Sequence, residues 1–180
     1  MSAVKRLSRR TVYENRWMKV HEDAVRFPGG ADGIYGVVDK EDFALIVPRH
    51  ADGRFQLVEQ YRYPVGGRYW EFPQGSWETQ PGTDPEQVAL GELEEETGFR
   101  ARGLRKLGHL YEAYGFSNQG FHVFLADTLE VGRANRDLEE QDMKTAAFSR
   151  AAITTMISDG QIKDAQTIAA LGLLAIAEGA

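Results

Sequence analysis

The chain lacks cysteine, long apolar runs and any excess of basic residues. With no cysteine among its 180 residues, it cannot form disulfides, thiolate metal sites or a cysteine nucleophile. No run approaches the ~18 apolar residues of a membrane-spanning helix, so no membrane association is expected. A net charge of −6 argues against general nucleic-acid binding. The composition, 42% hydrophobic and 27% charged, predicts a single domain over residues 1–180 with a sizeable core.

The N-terminal segment is basic but is not followed by an apolar stretch. A secretory signal is therefore not expected, and the cytoplasm is the expected compartment. The basic residues Lys5, Arg6, Arg9 and Arg10 are interpreted as an ordinary solvated terminus.

Histidine is scarce and scattered. The four histidines occur singly and show no spacing typical of a zinc site. We therefore interpret all of them as structural; they are His21, His50, His109 and His122.

Acidic residues are concentrated in one place, the segment Glu92-Leu93-Glu94-Glu95-Glu96-Thr97-Gly98-Phe99. At about 100° per residue, Glu92, Glu95 and Glu96 fall within one helical arc of roughly 100°. Such carboxylates repel each other, and the helix macrodipole disfavours them near a C-terminus. Either a hard divalent cation with oxygen ligands compensates their charge, or the segment is a solvated acidic face.

Helix signals surround these glutamates. Thr83 and Glu86 fit a capping box, and Pro85 suits the first turn of a helix. Gly98 is a typical helix stop. We therefore expect the glutamates on the last turns of one helix, facing the turn at Pro73-Gln74-Gly75 if the helix folds back on its preceding strand.

This segment and the preceding Glu71-Phe72-Pro73-Gln74-Gly75 resemble the signature box of the Nudix hydrolases. Gly75 matches the opening glycine of the box, and residues 92–99 match its last eight positions. The chain departs from the box in three ways. The segment after Gly75 is two residues longer, around positions 79–81, Thr83 replaces the first glutamate, and Gly91 replaces the arginine.

The resemblance implies a fold and a metal site. The fold class is α/β: a Nudix-type α/β/α sandwich with a mixed β-sheet, and an N-terminal antiparallel strand region over about residues 1–40. The implied cofactor is Mg²⁺, with Mn²⁺ as a possible substitute. Its implied ligands are Glu92, Glu95, Glu96 and the backbone carbonyl of Gln74, whereas Glu94 is expected on the solvated surface.

Gly91 leaves two interpretations open. In the family, the box arginine holds one of the glutamates in place. Either another cation, such as Arg62, Arg68 or Lys106, supports the site here, or activity is weak or lost.

Further segments resemble the ADP-ribose pyrophosphatases: residues 59–64, 70–75, 121–126 and 160–167. The implied reaction is hydrolysis of a diphosphate in a nucleoside diphosphate-linked small molecule, with ADP-ribose favoured. A nucleotide sugar of the GDP-mannose type and a noncatalytic nucleotide-binding module are the alternatives. Relatives of this subgroup form homodimers in which N-terminal strands help to build the partner's site.

The same resemblance assigns roles outside the box. Arg62 and Arg68 are candidate phosphate ligands, and Glu71 is a third candidate substrate contact. Glu139 or Glu140, in an acidic loop before a late strand, is a candidate general base. For both loop residues the alternative is a solvated charged loop.

Hydrophobic patterning predicts a strand-rich chain that ends in helices. Strands are predicted at 11–14, 18–27, 34–38, 43–47, 55–62, 106–112, 121–126 and 143–148, and helices at 150–158 and 164–178.

Overall fold

The structure, a computed structural model, describes residues 3–77, 82–135 and 141–179. Its strands are β1 (Lys5–Glu14), β2 (Lys19–Arg26), β3 (Asp32–Asp39), β4 (Phe43–Pro48), β5 (Phe55–Arg62), β6 (Gly67–Glu71), β7 (Gln74–Gly75), β8 (Phe99–Ala101), β9 (Arg105–Tyr111), β10 (Gly120–Ala126), β11 (Leu129–Val131) and β12 (Lys144–Phe148). The helices are α1 (Pro85–Thr97), α2 (Arg150–Ser158) and α3 (Ala165–Glu178), and a 3-10 turn spans Tyr63–Val65. None of the described helices is long and apolar enough to cross a membrane.

The centre of the fold is a mixed sheet in the order β7-β4-β10-β9. Strands β4 and β10 run parallel, and the outer pairs are antiparallel. The alternating side chains of β4 separate two apolar cores. Ala44 and Ile46 face α1, whereas Leu45 and Val47 pack with the residues of α2 and α3. Helices therefore cover both faces, as in the α/β/α sandwich that was predicted.

A second antiparallel sheet, β12-β5-β6, contributes Phe55 and Leu57 to the core shared with α2 and α3. Glu71, the last residue of β6, pairs with Val58 in the middle of β5 and makes a side-chain hydrogen bond with Gln74. The side chain of Arg62, at the end of β5, reaches back to Glu71. This arrangement places Arg62 and Glu71 beside Gln74.

The N-terminal strands form a separate antiparallel sheet, β1-β2-β3. The basic segment that was interpreted as a solvated terminus is exposed to solvent and forms part of the ordered strand β1. The Nε and Nη2 atoms of Arg9 donate to the two carboxylate oxygens of Asp23, at 2.7 and 2.8 Å. Arg10 pairs with Glu22 at 3.0 Å. Cross-strand ion pairs therefore give this basic segment its place in the sheet.

Helix α1 begins and ends close to the predicted residues, but its cap differs. The side chain of Asp84, rather than that of Thr83, accepts from the backbone N–H of Glu86 at 2.9 Å. Pro85, which has no N–H, occupies the first helical position, so the cap satisfies the next donor along the chain. Gly98 ends the helix in the left-handed region, with φ of 75°, as expected of a glycine stop.

The Arg9–Asp23 pair predicts an acid-sensitive contribution to stability. The Arg9 guanidinium lowers the pKa of the Asp23 carboxyl below its usual value. Stability from such a group is fully present above the ordinary carboxyl pKa of about 4, and it is lost as pH falls through the lower folded pKa. We expect Asp23→Asn to lower the Tm at pH 7 and the difference from wild type to shrink towards pH 3.

Thermal unfolding followed by circular dichroism across this range measures the effect. Asp159→Asn, at the exposed C-terminal end of α2, is the matched control. A wild-type-to-variant difference that stays constant down to pH 3 would contradict the assignment.

Candidate active site

The carboxylate of Glu92 lies against the backbone of Gly75. A Cβ on residue 75 would stand 2.5–2.7 Å from the carboxylate atoms of Glu92. Only glycine leaves room for this approach, which explains why the motif opens on glycine. Glu92 is 7% exposed, so the contact holds its carboxylate in a fixed place at the surface of the core.

Glu96 lies one helical turn further and reaches the adjacent residue of β7. Its Oε2 accepts from the backbone N–H of Gln74 at 3.3 Å, and the residue is fully buried. Helix α1 therefore brings two carboxylates to successive residues of one short strand, as the spacing of the glutamates predicted. Strand β7 is itself held by pairing of Leu45 with Gln74 and of Ala44 with Gly75.

Arg62 is a cation that lies close to this acidic site. It pairs through Nη2 and Nε with the carboxylate of Glu71, which is only 2% exposed and also accepts from Gln60 at 2.8 Å. Burial alone would lower the pKa of Arg62, but the carboxylates of Glu71, Glu96 and Asp164 raise it overall. Of the three cations offered as replacements for the box arginine, Arg62 is therefore the one placed among these carboxylates.

Glu71 is the buried partner of Arg62. Burial raises its pKa, and Arg62 offsets the rise only in part. Both carboxylate oxygens already accept from Arg62. Its contact with substrate stays a prediction, and the geometry gives it a role in holding Arg62.

Asp164 was missed as a site residue. It was expected only to cap α3, and its Oδ2 does accept from the Thr167 N–H at 2.7 Å. The same oxygen also lies 3.3 Å from Nε2 of Gln74. The hydroxyl of Thr167 in turn accepts from the Phe72 N–H at 2.8 Å. The start of α3 thus fixes the strand that carries Gln74, and the resemblance over residues 160–167 was the available hint.

Gly91 has a tertiary explanation. A Cβ on this residue would lie 2.2 Å from Cζ2 and 2.9 Å from Cη2 of Trp77. The indole ring therefore occupies the space that the family's box arginine would enter. Trp77 packs against the core formed by α1, β4 and β10, so Gly91 is required by this contact.

Arg68 and Glu94 make ion pairs with other parts of the chain. Arg68 pairs with Glu59 at 3.3 Å and donates to the Asp142 carbonyl at 2.9 Å. Glu94 lies at the surface, where it pairs with Arg100 at 2.6 Å. The half-buried Glu95 stays a predicted ligand. Glu139 and Glu140 lie outside the described residues.

The close approach at Gly75 predicts a large effect of a single methyl group. We expect Gly75→Ala to displace the Glu92 carboxylate and to lower turnover by about tenfold to a hundredfold, as loss of support for a metal ligand does. Gly172→Ala is the matched control, because a Cβ there meets nothing within 4 Å. That control should keep full activity, and as a helical substitution it should stabilise the fold by about 0.5–1 kcal/mol. Equal activities of the two variants would refute the role of the contact.

The chain belongs to the Nudix family. The NUDIX domain model matches residues 40–171, which include every element from β4 through the first half of α3. Residues 4–38 match a second model, the nucleoside diphosphate sugar hydrolase N-terminal domain, and they contain the sheet β1-β2-β3.

Several known proteins are similar to the chain over nearly its full length. An ADP-ribose pyrophosphatase of Mycobacterium tuberculosis is 34% identical over 171 residues, covering 94% of this chain and 81% of the relative. An ADP-ribose pyrophosphatase of Bacillus subtilis is 27% identical over 175 residues, covering 97% and 94%. A crystal structure described as an ADP compounds hydrolase superposes with a TM-score of 0.84 at 22% identity, covering 97% of this chain and 93% of that one. The last similarity confirms the fold.

Proposed function

We propose that the chain is a Mg²⁺-dependent diphosphatase, one Nudix domain over residues 1–180, that hydrolyses a nucleoside diphosphate linked to another moiety. ADP-ribose is the favoured substrate, giving AMP and a sugar phosphate. The observation that carries the proposal is the convergence of two buried glutamates, Glu92 and Glu96, on Gln74 and Gly75. The named relatives support the choice of substrate.

The donor set suits Mg²⁺. Glu92, Glu95, Glu96 and the backbone carbonyl of Gln74 offer only hard oxygen ligands, and the glycine at position 75 leaves the Glu92 carboxylate its space. Mn²⁺, which accepts the same ligands, is a possible substitute. When bound, the cation withdraws charge from the diphosphate oxygens and lowers the pKa of a coordinated water.

The protein's own groups would hold and orient the reactants. Arg62 is 42% exposed at its side chain although it is paired with the buried Glu71, so its free edge can meet a phosphate. Arg68, 31% exposed, is a second candidate for this role, and Glu71 would act on substrate through Arg62. Glu139 or Glu140 is proposed to take the proton of the attacking water.

We further propose a cytoplasmic homodimer with no nucleic-acid or membrane partner. Large apolar side chains are exposed on the N-terminal sheet, which is the element expected at the dimer interface. Val12 and Tyr13 of β1 are 47% and 54% exposed, and Ile34 and Tyr35 of β3 are 69% and 43% exposed. Exposed apolar side chains of this kind suit burial against a second copy.

A substrate panel tests the function. Phosphomonoester products are measured with a coupled phosphatase in Mg²⁺ or Mn²⁺, using ADP-ribose, GDP-mannose, other nucleotide sugars, dinucleoside polyphosphates and NADH. We expect ADP-ribose to have the highest kcat/KM. Preference for GDP-mannose would move the assignment to a nucleotide-sugar diphosphatase.

Nucleotide binding without turnover of any substrate would overturn the catalytic assignment. The chain would then be a noncatalytic nucleotide-binding module, which is the interpretation that Gly91 and Thr83 left open. Calorimetric titration with ADP-ribose in the presence of Ca²⁺ supplies the binding measurement.

A further inference from the structure

The structure brings together two histidines and an aspartate that sequence reasoning left apart. His109 of β9 and His122 of β10 are directly opposite in the antiparallel ladder. Asp42, immediately before β4, reaches both of them from the parallel neighbour of β10. One nitrogen or carboxylate oxygen from each residue lies within 4.8 Å of the other two. The two histidines, which occur singly in the sequence, are therefore neighbours in the fold.

The separations of the three groups match those of ligands on one metal ion. Nε2 of His109 lies 2.8 Å from Oδ2 of Asp42, and Nε2 of His122 lies 3.7 Å from the same oxygen. Ligands about 2.1 Å from a metal, at octahedral or tetrahedral angles, are about 3.0–3.4 Å apart. These two distances lie within a few tenths of an ångström of this range, and the two histidine nitrogens lie within 4.8 Å of each other.

The cluster is held by the backbone rather than by flexible loops. Oδ1 of Asp42 accepts from the Gly120 N–H at 2.7 Å, which leaves Oδ2 directed at the imidazoles. A Cβ on Gly120 would stand 2.4 Å from Nε2 of His109, so glycine is required for the ring to lie there. Tyr111 packs edge-on against the His109 ring at 5.4 Å. Outer contacts of this kind orient metal ligands.

The cluster is also accessible. The side chains of His109, His122 and Asp42 are 31%, 18% and 40% exposed. Asp42 and His122 line a cavity of about 370 Å³ between the start of β4 and the start of α1, where Trp77 and Pro85 form part of the opposite wall. An ion could enter from this cavity and keep water or an anion at its remaining coordination positions.

We propose that Asp42, His109 and His122 form a binding site for a transition-metal ion such as Zn²⁺, separate from the glutamates of the Nudix box. Two imidazoles and one carboxylate favour Zn²⁺ and its neighbours, whereas the all-oxygen box favours Mg²⁺. His122 of β10 pairs with Ala44 of β4. On its other side, Ala44 pairs with Gly75 of β7. Two strand spacings of about 4.8 Å therefore put the two sites roughly 10 Å apart across one sheet.

Zn²⁺ titration of the full chain tests the site, with a chromophoric chelator as competitor and excess Mg²⁺ to occupy the box. We expect one tight equivalent of Zn²⁺. His109→Ala and His122→Ala should each weaken it at least tenfold, and Asp42→Asn, which keeps an acceptor for the Gly120 N–H, should weaken it less. His50→Ala is the matched control, because that ring bonds to Gln56 at 3.0 Å in the turn between β4 and β5.

A second readout is the visible spectrum of the Co²⁺-loaded protein, which reports nitrogen ligands. Its bands should persist in Glu96→Gln and disappear in His122→Gln, a variant of similar size whose fold is checked by circular dichroism. Wild-type Zn²⁺ affinity in His109→Ala would overturn the proposal. So would loss of the tight equivalent in Glu96→Gln alone, since the ion would then belong to the box.

Discussion

Replacement of Glu96 by glutamine is expected to lower kcat on the preferred diphosphate substrate by at least about a hundredfold. Glu96 is fully buried and accepts from the Gln74 N–H, and an amide oxygen can keep that hydrogen bond. The substitution therefore removes the negative charge and little else. Loss of residues that merely support a metal ligand lowers metal affinity or activity by about tenfold to a hundredfold. Loss of the ligand's own charge should therefore lower kcat by at least the upper value. The free energy of unfolding should change by less than about 1 kcal/mol.

Glu94→Gln is the matched control on the same helix. Glu94 faces Arg100, whose side chain is 65% exposed, and it also accepts from the backbone of Arg133, a hydrogen bond that a glutamine oxygen can keep. We expect its kcat to stay within about twofold of wild type. Steady-state kinetics at saturating Mg²⁺ compares the two variants. If Glu96→Gln retained more than half of the wild-type kcat, the glutamates would not be the catalytic metal ligands.

Gly91→Arg is expected to destabilise the protein by about 1–3 kcal/mol, the usual range for overpacking a filled core. The Cβ of the new side chain would stand 2.2 Å from the Trp77 ring, so the indole must leave its place. No gain in kcat is expected, because Arg62 already supplies the positive charge beside Glu96. Restoring the family's arginine would therefore not restore a better enzyme.

Trp77→Ala is the companion variant, alone and combined with Gly91→Arg. If the two residues share one space, the double variant should be more stable than the sum of the single effects predicts. Urea unfolding measures the coupling, and kcat is recorded for each variant. A tenfold rise in kcat for Gly91→Arg with Trp77 still present would show instead that the site is a weakened form of the family's.

The elements that local signals define could be predicted from the sequence. Strand β5 has the predicted bounds, helix α1 stops at Gly98, and α3 is capped by Asp164 as expected. That Glu92 and Glu96 lie on one face of the helix also followed from helix geometry alone. Each of these features depends on residues within a few positions of one another.

The features that were missed depend on partners distant in sequence. Strand β7 is only two residues long, and it exists because Gln74 and Gly75 pair with β4. Strands β8 and β11 are three residues each, and among the described residues they pair with one another. The need for glycine at 91 arises from the Trp77 ring. No periodicity within a single segment reports such contacts.

The histidines show the same limit. His109 and His122 become neighbours because of the register between β9 and β10, and Asp42 joins them through the parallel pairing of β4 with β10. A spacing rule for zinc sites compares residues within one segment of the chain. It therefore cannot detect a cluster whose members come from three separate segments.

The parallel pairing of β4 with β10 has a consequence for folding kinetics. The hydrogen bond between Asp42 and Gly120 joins residues 78 positions apart, and the whole Nudix box lies in the chain between them. Contacts of such long sequence separation form slowly, because the loop must close before any of them stabilises it. Phe124 and Ala126 of β10 complete the core against which the box helix packs. An emerging chain that ends at Phe99 would therefore hold the glutamates on a helix whose apolar face is only partly covered, by β4.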